Sequence, residues 1–185
     1  MQPRQAASVL SSRYGDCKDK VALVMALADA VGIEVRPVLI HSARRDLQDA
    51  SPGPHQFDHM IAAAILGPAE KDWLWMDATN SLSSPMNLMR AARDKRALMI
   101  DRRGQGTVVR TPAAAPTPSR RAVTLEGTLE ASGLLKGRVR FENRSDSEPD
   151  LRTAFASVRP EQHAELLKSV LARSWREARV SSVKT

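Results

Sequence analysis

The chain of 185 residues has a single cysteine, Cys17, and aromatic side chains make up only 4% of it. One thiol cannot form an intrachain disulfide, so cysteine usage leaves the redox compartment undetermined. No apolar run approaches the roughly 18 residues of a membrane-spanning helix. The N-terminus does not have the charged, apolar and small-residue regions of a signal peptide, which indicates either a cytoplasmic protein or a piece of a longer exported one.

Basic residues are in excess, with a formal net charge of +7. Such a balance permits weak attraction to anionic polymers or lipid. Aromatic and basic residues are not interleaved in the way that base-stacking proteins require, so we expect no specific nucleic-acid partner. Nothing in the pattern indicates the oligomeric state.

A composition break divides the chain. The segment 106–120 contains three closely spaced prolines among small residues, at Pro112, Pro116 and Pro118, which predicts a stiff, extended linker. We therefore expect a core over 1–105 and a second, β-rich region over 121–185 that ends in a helix and is incomplete.

The core reads as an α+β fold with a central helix packed on an antiparallel sheet. The helix is expected from Asp16 or Cys17 to Val31, with Gly32 ending it. Its apolar positions cover nearly the whole circumference, so we expect it to be buried on most sides.

Three strands are expected after this helix, at 33–40, 57–66 and 72–79. Pro37 favours an edge position or a bulge for the first of them. Trp73 and Trp75 share one face of the third strand, where core packing is the expectation.

The second region shows alternation typical of two paired strands, 122–130 and 135–142, joined by a turn at 131–133. The segment 160–179 is then predicted to be an amphipathic helix. Residues 180–185 have the character of a strand that begins there.

Cys17 lies at the start of the predicted helix, where the helix dipole and free N–H groups favour a thiolate. Asp16 is a good N-cap, and Asp19, three positions later, can return a bond to it. The same turn would therefore fix the backbone and orient the sulfur. An inert buried thiol is the alternative role.

A nucleophilic thiol needs a histidine, and that histidine needs an acceptor on its other ring nitrogen. His59 begins one predicted strand and Asp77 ends the next, and both are equally distant from the turn at Gly67-Pro68. The sequence thus predicts an imidazole beside a carboxylate. Asp58 and Asp72 compete for this role, although Asp58 should face away from His59 because side chains alternate.

Three blocks resemble those of the bacterial transglutaminase-like superfamily, whose fold is related to papain-like cysteine proteases. They are Tyr14-Gly15-Asp16-Cys17-Lys18-Asp19-Lys20, Phe57-Asp58-His59 and Trp75-Met76-Asp77-Ala78-Thr79. The resemblance implies that Cys17 is the nucleophile, His59 the general base and acid, and Asp77 the orienting acceptor. Tyr14 is a candidate for substrate binding at the cleft; the alternative is a loop residue that packs on the helix start.

The resemblance implies acyl transfer at an amide bond of a protein or peptide substrate through a thioester, with a protease, amidase or transglutaminase outcome. No cofactor is implied. A zinc site from Cys17, His41, His55 and His59 is conceivable, but the chain has neither a CxxC nor an HExxH pattern, so no metal is expected.

The sequence departs from the family in having only 16 residues before Cys17. Family members usually carry helices and often an oxyanion-stabilising side chain there. The N–H of Cys17 could still supply one oxyanion donor. The chain could thus be a fragment of a longer exported, periplasmic protein. The alternative function is a non-catalytic transglutaminase-like module that binds peptide or cell-envelope polymer.

Overall fold

The computed structural model describes residues 2–43, 46–79, 82, 84, 86–172, 175 and 179–184. The chain divides into two compact units, Met1–Pro118 and Ser119–Thr185. Each unit is described by itself. Both helices and strands are present, so the fold class is mixed α+β.

The first unit is built on a five-stranded antiparallel sheet in the order β3-β2-β1-β4-β5. Its elements are α1 (Ala6–Ser12), α2 (Cys17–Asp29), β1 (Val35–Ile40), β2 (His59–Ile65), β3 (Trp73–Met76), β4 (Arg96–Ile100) and β5 (Gly106–Arg110). The predicted helix and the three strands that follow it are therefore present, with shorter bounds.

Each face of this sheet has its own core, because successive strand residues point to opposite sides. On one face, Ala62 and Ala64 of β2 pack against Val21 of α2. The small alanine side chains allow the helix to lie close to the strand. On the other face, Ile61 and Trp75 are buried under the segment that contains Leu88 and Ala92. The expectation that Trp75 belongs to the core is met.

The helix α2 is less buried than its composition predicts. Its sheet-facing side carries Val21, which is 1% exposed, whereas Leu27 is 54% exposed and Val31, just past the helix end, is 71% exposed. Within the described part of the chain, the sheet covers one side of the helix and α1 contacts it elsewhere. Apolar residues around the whole circumference of a helix predict burial only if other elements pack on every side, and α2 has such neighbours on part of its surface.

The expected edge position of Pro37 is wrong, because β1 lies in the centre of the sheet. Pro37 pairs with Ala62 on the β2 side. On the other side, the pairing with β4 involves only Val38 and Leu39, just beyond the proline. The missing N–H of Pro37 is thus tolerated where the second ladder has not yet begun.

The strand β5 lies within the segment expected to be linker. The β-branched residues Thr107, Val108 and Val109 pair with β4, and Thr111 is 2% exposed. The unit boundary falls between Pro118 and Ser119. Prolines marked the break in composition, but the β-branched run before them forms an edge strand.

The second unit contains a hairpin of two long strands, followed by two short helices. These elements are β6 (Arg120–Leu129), β7 (Leu135–Arg144), α3 (Glu148–Ala156) and α4 (His163–Leu171). The register pairs Leu129 with Leu135 around the turn, at the position that the sequence predicts.

Three features of this unit differ from expectation. The helix α3 has no counterpart in the sequence prediction, although Glu148, Pro149 and Asp150 are residues typical of a helix start. The helix predicted over 160–179 is α4 preceded by a 3₁₀ turn; residues 173, 174 and 176–178 lie outside the described residues. Residues 180–184 do not form a strand.

Candidate active site

The turn before α2 fixes the backbone at Cys17. The side chain of Asp16 caps the helix by accepting from the N–H of Asp19 at 3.2 Å, and the N–H of Asp16 donates to the Asp19 carboxylate at 3.4 Å. This reciprocal pair is the capping box expected from the sequence. Cys17 is thereby the first residue of the helix, and it is partly exposed.

Arg4 supports this turn from the segment before α1. Its N–H donates to Oδ1 of Asp19 at 2.8 Å and its Nε to Oδ2 at 2.9 Å. Both bonds hold the pKa of Asp19 below its ordinary value, and the bond from the backbone N–H has the larger effect. Arg4 also donates to the carbonyl of Tyr14. The role of Arg4 is not predicted from the sequence, because no local pattern signals a contact between residues 15 positions apart.

Gly15 lies where a side chain would not fit. A Cβ at this position would lie 2.8 Å from Cβ of Asp19 and 3.0 Å from Cγ1 of Val9. The close approach brings α1 against the capping turn. The glycine is therefore required by packing two residues before the thiol.

The predicted imidazole–carboxylate pair is present. Nε2 of His59 lies 3.0 Å from Oδ2 of Asp77. The side chains of His59 and Asp77 are 11% and 1% exposed. Because an ionised carboxylate only accepts hydrogen bonds, Nε2 of His59 donates in this contact.

The register that joins these residues differs by two positions from the expected one. Ala62 pairs with Met76 in the β2–β3 ladder. Extending this register places His59 opposite Thr79 and diagonal to Asp77. A two-residue difference keeps both side chains on the same face, whereas a one-residue difference would separate them. Diagonal neighbours remain within reach of each other across a strand pair.

The thiol belongs to the same cluster. The thiol of Cys17 lies close enough to the imidazole to be among the groups that raise the pKa of His59. Since Nε2 of His59 is held by Asp77, Nδ1 is the ring nitrogen left for the sulfur. The structure thus brings Cys17, His59 and Asp77 together.

The electrostatics of the pair follow from these contacts. The hydrogen bond with Asp77 is the main cause that raises the pKa of His59 above its ordinary value; burial opposes it, and Cys17 adds to the rise. Burial is the largest effect on Asp77 and raises its pKa, but hydrogen bonds from His59 and Thr79 outweigh it and leave the pKa lowered. Both shifts favour an imidazolium beside a carboxylate.

The other candidate acids lie elsewhere. Asp58 accepts from the N–H of Ser42 at 2.5 Å and from its hydroxyl at 2.8 Å. Asp72 ends the short 3₁₀ turn that precedes β3. Asp58 therefore faces away from His59, as strand alternation predicts.

The histidines of the conceivable zinc site are not assembled. Nδ1 of His41 accepts from the N–H of Ala43 at 3.1 Å, and Nε2 of His55 lies 3.4 Å from the hydroxyl of Ser51. Within the described ranges, no three His, Cys, Asp or Glu side chains are grouped so that they could hold a metal ion. The described part of the chain also has no helix long and apolar enough to span a membrane.

Tyr14, the candidate for substrate binding, is 74% exposed. Its ring centroid lies 5.7 Å from Cζ of Arg4, within the range of a cation–π contact. The side chain is thus available at the surface three residues before Cys17.

Thr79 is a site residue whose role was not predicted from the sequence, although it ends the motif that contains Asp77. Its N–H and its hydroxyl both donate to Oδ1 of Asp77, at 2.9 Å and 2.6 Å. An aspartate followed two residues later by a threonine is the pattern of a local side-chain turn, so a signal existed.

Comparisons with known proteins add no relative: no family model, curated protein or solved structure matches this chain.

Proposed function

We propose that the first unit is a transglutaminase-like cysteine enzyme that acts on amide bonds by acyl transfer through a thioester. One observation carries the proposal: His59 is held by Asp77 through Nε2, and the Cys17 thiol, at the start of a helix, is close enough to affect the pKa of the same imidazole. A lone structural thiol has no need of an oriented imidazole, whereas a nucleophilic thiol does.

The first step follows from the charges at the site. The proton of the Cys17 thiol passes to Nδ1 of His59, and the resulting imidazolium is stabilised by Asp77. The thiolate attacks the carbonyl carbon of an amide and forms a carbon–sulfur bond, while the carbonyl electron pair moves onto oxygen.

The carbonyl oxygen of this intermediate needs hydrogen-bond donors. The first N–H groups of a helix have no acceptor within the helix. The N–H of Cys17, at the first position of α2, is the donor that we assign to this oxygen.

Collapse of the intermediate breaks the carbon–nitrogen bond, and His59 gives its proton to the leaving amine. The thioester on Cys17 is then attacked by water or by a second amine, with His59 accepting the proton of the attacking group. The carbon–sulfur bond breaks and the thiol is restored. Water gives a protease or amidase outcome, and an amine gives a transglutaminase outcome.

Tyr14 is proposed to contact the substrate. Its ring is largely exposed and lies close in sequence to the nucleophile. An aromatic face of this kind offers apolar contact to an extended peptide.

Alkylation of Cys17 tests the nucleophile directly. Because Cys17 is the only cysteine, the mass increase of the whole protein after iodoacetamide reports on this residue alone. We expect wild type to react faster at neutral pH than the same chain unfolded in urea. His59→Ala should lose most of that advantage, roughly tenfold or more, because the imidazolium that pairs with the thiolate is gone.

The acyl step needs a second measurement. Incubation with a glutamine-containing peptide should add the acyl mass to wild type, and hydroxylamine should remove it, as for a thioester. Cys17→Ser is the control for non-specific adducts. Equal alkylation rates in the folded and the unfolded chain, with no acyl adduct, would instead favour the non-catalytic module that binds peptide or cell-envelope polymer.

A further inference from the structure

The two carboxylate oxygens of Asp77 have different partners. Oδ2 faces Nε2 of His59 at 3.0 Å. Oδ1 accepts two hydrogen bonds from Thr79, one from the backbone N–H at 2.9 Å and one from the hydroxyl at 2.6 Å. The Asp77 side chain is 1% exposed, so bulk water does not compete for either oxygen.

This division of partners fixes the rotation of the carboxylate. A carboxylate held at one oxygen only can turn about its terminal bond, because that torsion is broad. The two bonds from Thr79 remove this freedom by holding Oδ1 on the side away from the imidazole. Oδ2 is then the oxygen directed at His59.

The stiffness of threonine adds to the effect. Thr79 is β-branched, so few side-chain rotamers are open to it. Its hydroxyl and its own N–H meet the same oxygen, which makes the contact a closed local turn. The turn lies directly beyond the end of β3 and needs no other element to form.

We propose that Thr79 is a positioning residue for the His59–Asp77 pair. It acts on the imidazole through the carboxylate that it holds. The inference rests on the proposed function only for what the pair does in catalysis, since the hydrogen bonds exist whatever the unit's activity.

The pKa of His59 in the full chain, followed by NMR of the imidazole signals, tests this role. The His59 signals are those that disappear in His59→Gln. Thr79→Val removes the hydroxyl but keeps the shape and the backbone N–H, and Thr79→Ser restores a hydroxyl. Thr79→Ala removes the same hydroxyl with less bulk if Thr79→Val does not fold.

Thr111→Val is the matched control for a buried threonine hydroxyl in the same unit. Thr111 is 2% exposed, and its hydroxyl accepts from the N–H of Lys95 at 3.1 Å and donates to the Lys95 carbonyl at 3.2 Å. Both valine variants should lower the stability of the first unit. Only Thr79→Val should change His59.

With Oδ1 of Asp77 held by the backbone N–H alone, the carboxylate is less firmly fixed and its bond to His59 weakens. The pKa of His59 should therefore fall in Thr79→Val and recover in Thr79→Ser. Alkylation of Cys17 should slow by roughly tenfold, the order expected when one hydrogen bond to a charged group is lost. An equal change of the His59 pKa and of Cys17 alkylation in Thr111→Val would show that lost stability of the first unit causes both effects. That result would overturn the inference.

A rise of the His59 pKa in Thr79→Val would also overturn it. That result would mean that the hydroxyl merely competes with the ring for the charge of Asp77. An unchanged His59 pKa in Thr79→Val would overturn the inference as well. If the pKa falls as expected but wild-type Cys17 alkylates no faster than the unfolded chain, the positioning role stands and the proposed enzyme function fails.

Discussion

Oδ2 of Asp77 accepts a hydrogen bond from Nε2 of His59 at 3.0 Å, and the Asp77 side chain is almost fully removed from solvent. A buried charge is tolerated when it is paired and fully hydrogen bonded. Both oxygens of Asp77 meet this condition. The protonation state of His59 is therefore coupled to this one carboxylate.

Asp77→Asn should lower the pKa of His59. The bond with Asp77 is the main cause of the raised pKa, and burial, which acts in the opposite direction, remains after the substitution. An amide can also present its N–H₂ group to the ring and so favour the wrong tautomer. Titration of the imidazole signals by NMR measures the shift. Turnover should fall more than Cys17 alkylation does, because the carboxylate mainly orients the ring.

Asp58→Asn is the matched control for this prediction. Asp58 immediately precedes His59, but its carboxylate is bonded to Ser42. The substitution should leave the His59 titration close to that of wild type. An equal shift in both variants would show that the net charge of the region, and not the Asp77 contact, sets the pKa.

The sequence predicted the pairing of His59 with Asp77 because two kinds of information agreed. Residue types suited to a catalytic dyad lay on two strand-like runs, and a turn lay midway between them. The register differed by two positions, since the turn is wider than a single Gly-Pro step and includes a 3₁₀ segment, Glu70–Asp72. Because side chains alternate along a strand, a difference of two positions leaves His59 and Asp77 on the same face, and the predicted pairing is still correct.

Contacts between distant segments were beyond the reach of sequence patterns. Arg4 reaches Asp19, and Lys95 donates to the carbonyls of His41 and Ala43. No local periodicity encodes such pairs. The central position of β1 was missed for the same reason, because β4, which covers its second edge, lies far along the chain.

The stability of the first unit should depend on pH through His59. The pKa of His59 is raised above its ordinary 6.5 in the folded chain. A raised histidine pKa contributes stability that is fully present below the unfolded value and is lost as pH rises through the folded value. The free energy of unfolding of wild type should therefore exceed that of His59→Gln most clearly below pH 6.5, and the difference should shrink above it.

Asp77 sets the other limit of this window. Its pKa is lowered below the ordinary 3.8, so its contribution is present above that value and is lost as pH falls through the folded value. Urea unfolding at a series of pH values, followed by tryptophan fluorescence, measures the contributions of His59 and Asp77 to the free energy of unfolding. Trp175→Phe as the background leaves Trp73 and Trp75 as reporters of the first unit. A difference between wild type and His59→Gln that grows above pH 6.5 would contradict the sign of the His59 shift.

Gly137→Ala should destabilise the hairpin of the second unit. A Cβ there would lie 2.2 Å from the carbonyl oxygen of Glu126 and 2.7 Å from Cα of Gly127. Both are backbone atoms of the paired strand, so neither can move aside alone. The free energy of unfolding of the hairpin should fall by about 1–3 kcal/mol because of this overpacking. Amide hydrogen exchange across β6 and β7 measures it, with Thr128→Ala, an exposed neighbour on β6, as the control.

Gly15→Ala should both destabilise the first unit and slow the alkylation of Cys17. The new Cβ would meet Cβ of Asp19 at 2.8 Å and Cγ1 of Val9 at 3.0 Å. Asp19 is held by Arg4 and by the capping box, so the turn itself has to shift. About 1–3 kcal/mol of unfolding free energy should be lost. The thiol should then be displaced from His59.

Gly106→Ala provides the comparison for this last substitution. Its Cβ would meet Cδ1 of Leu98 at 2.9 Å, and that atom is the end of a flexible side chain that can rotate away. Urea unfolding should show a smaller loss than in Gly15→Ala, with unchanged alkylation of Cys17. Equal alkylation in wild type and in a folded Gly15→Ala would show that the capping turn does not fix the sulfur. The link between helix capping and thiol orientation would then have to be abandoned, even with the His59–Asp77 pair intact.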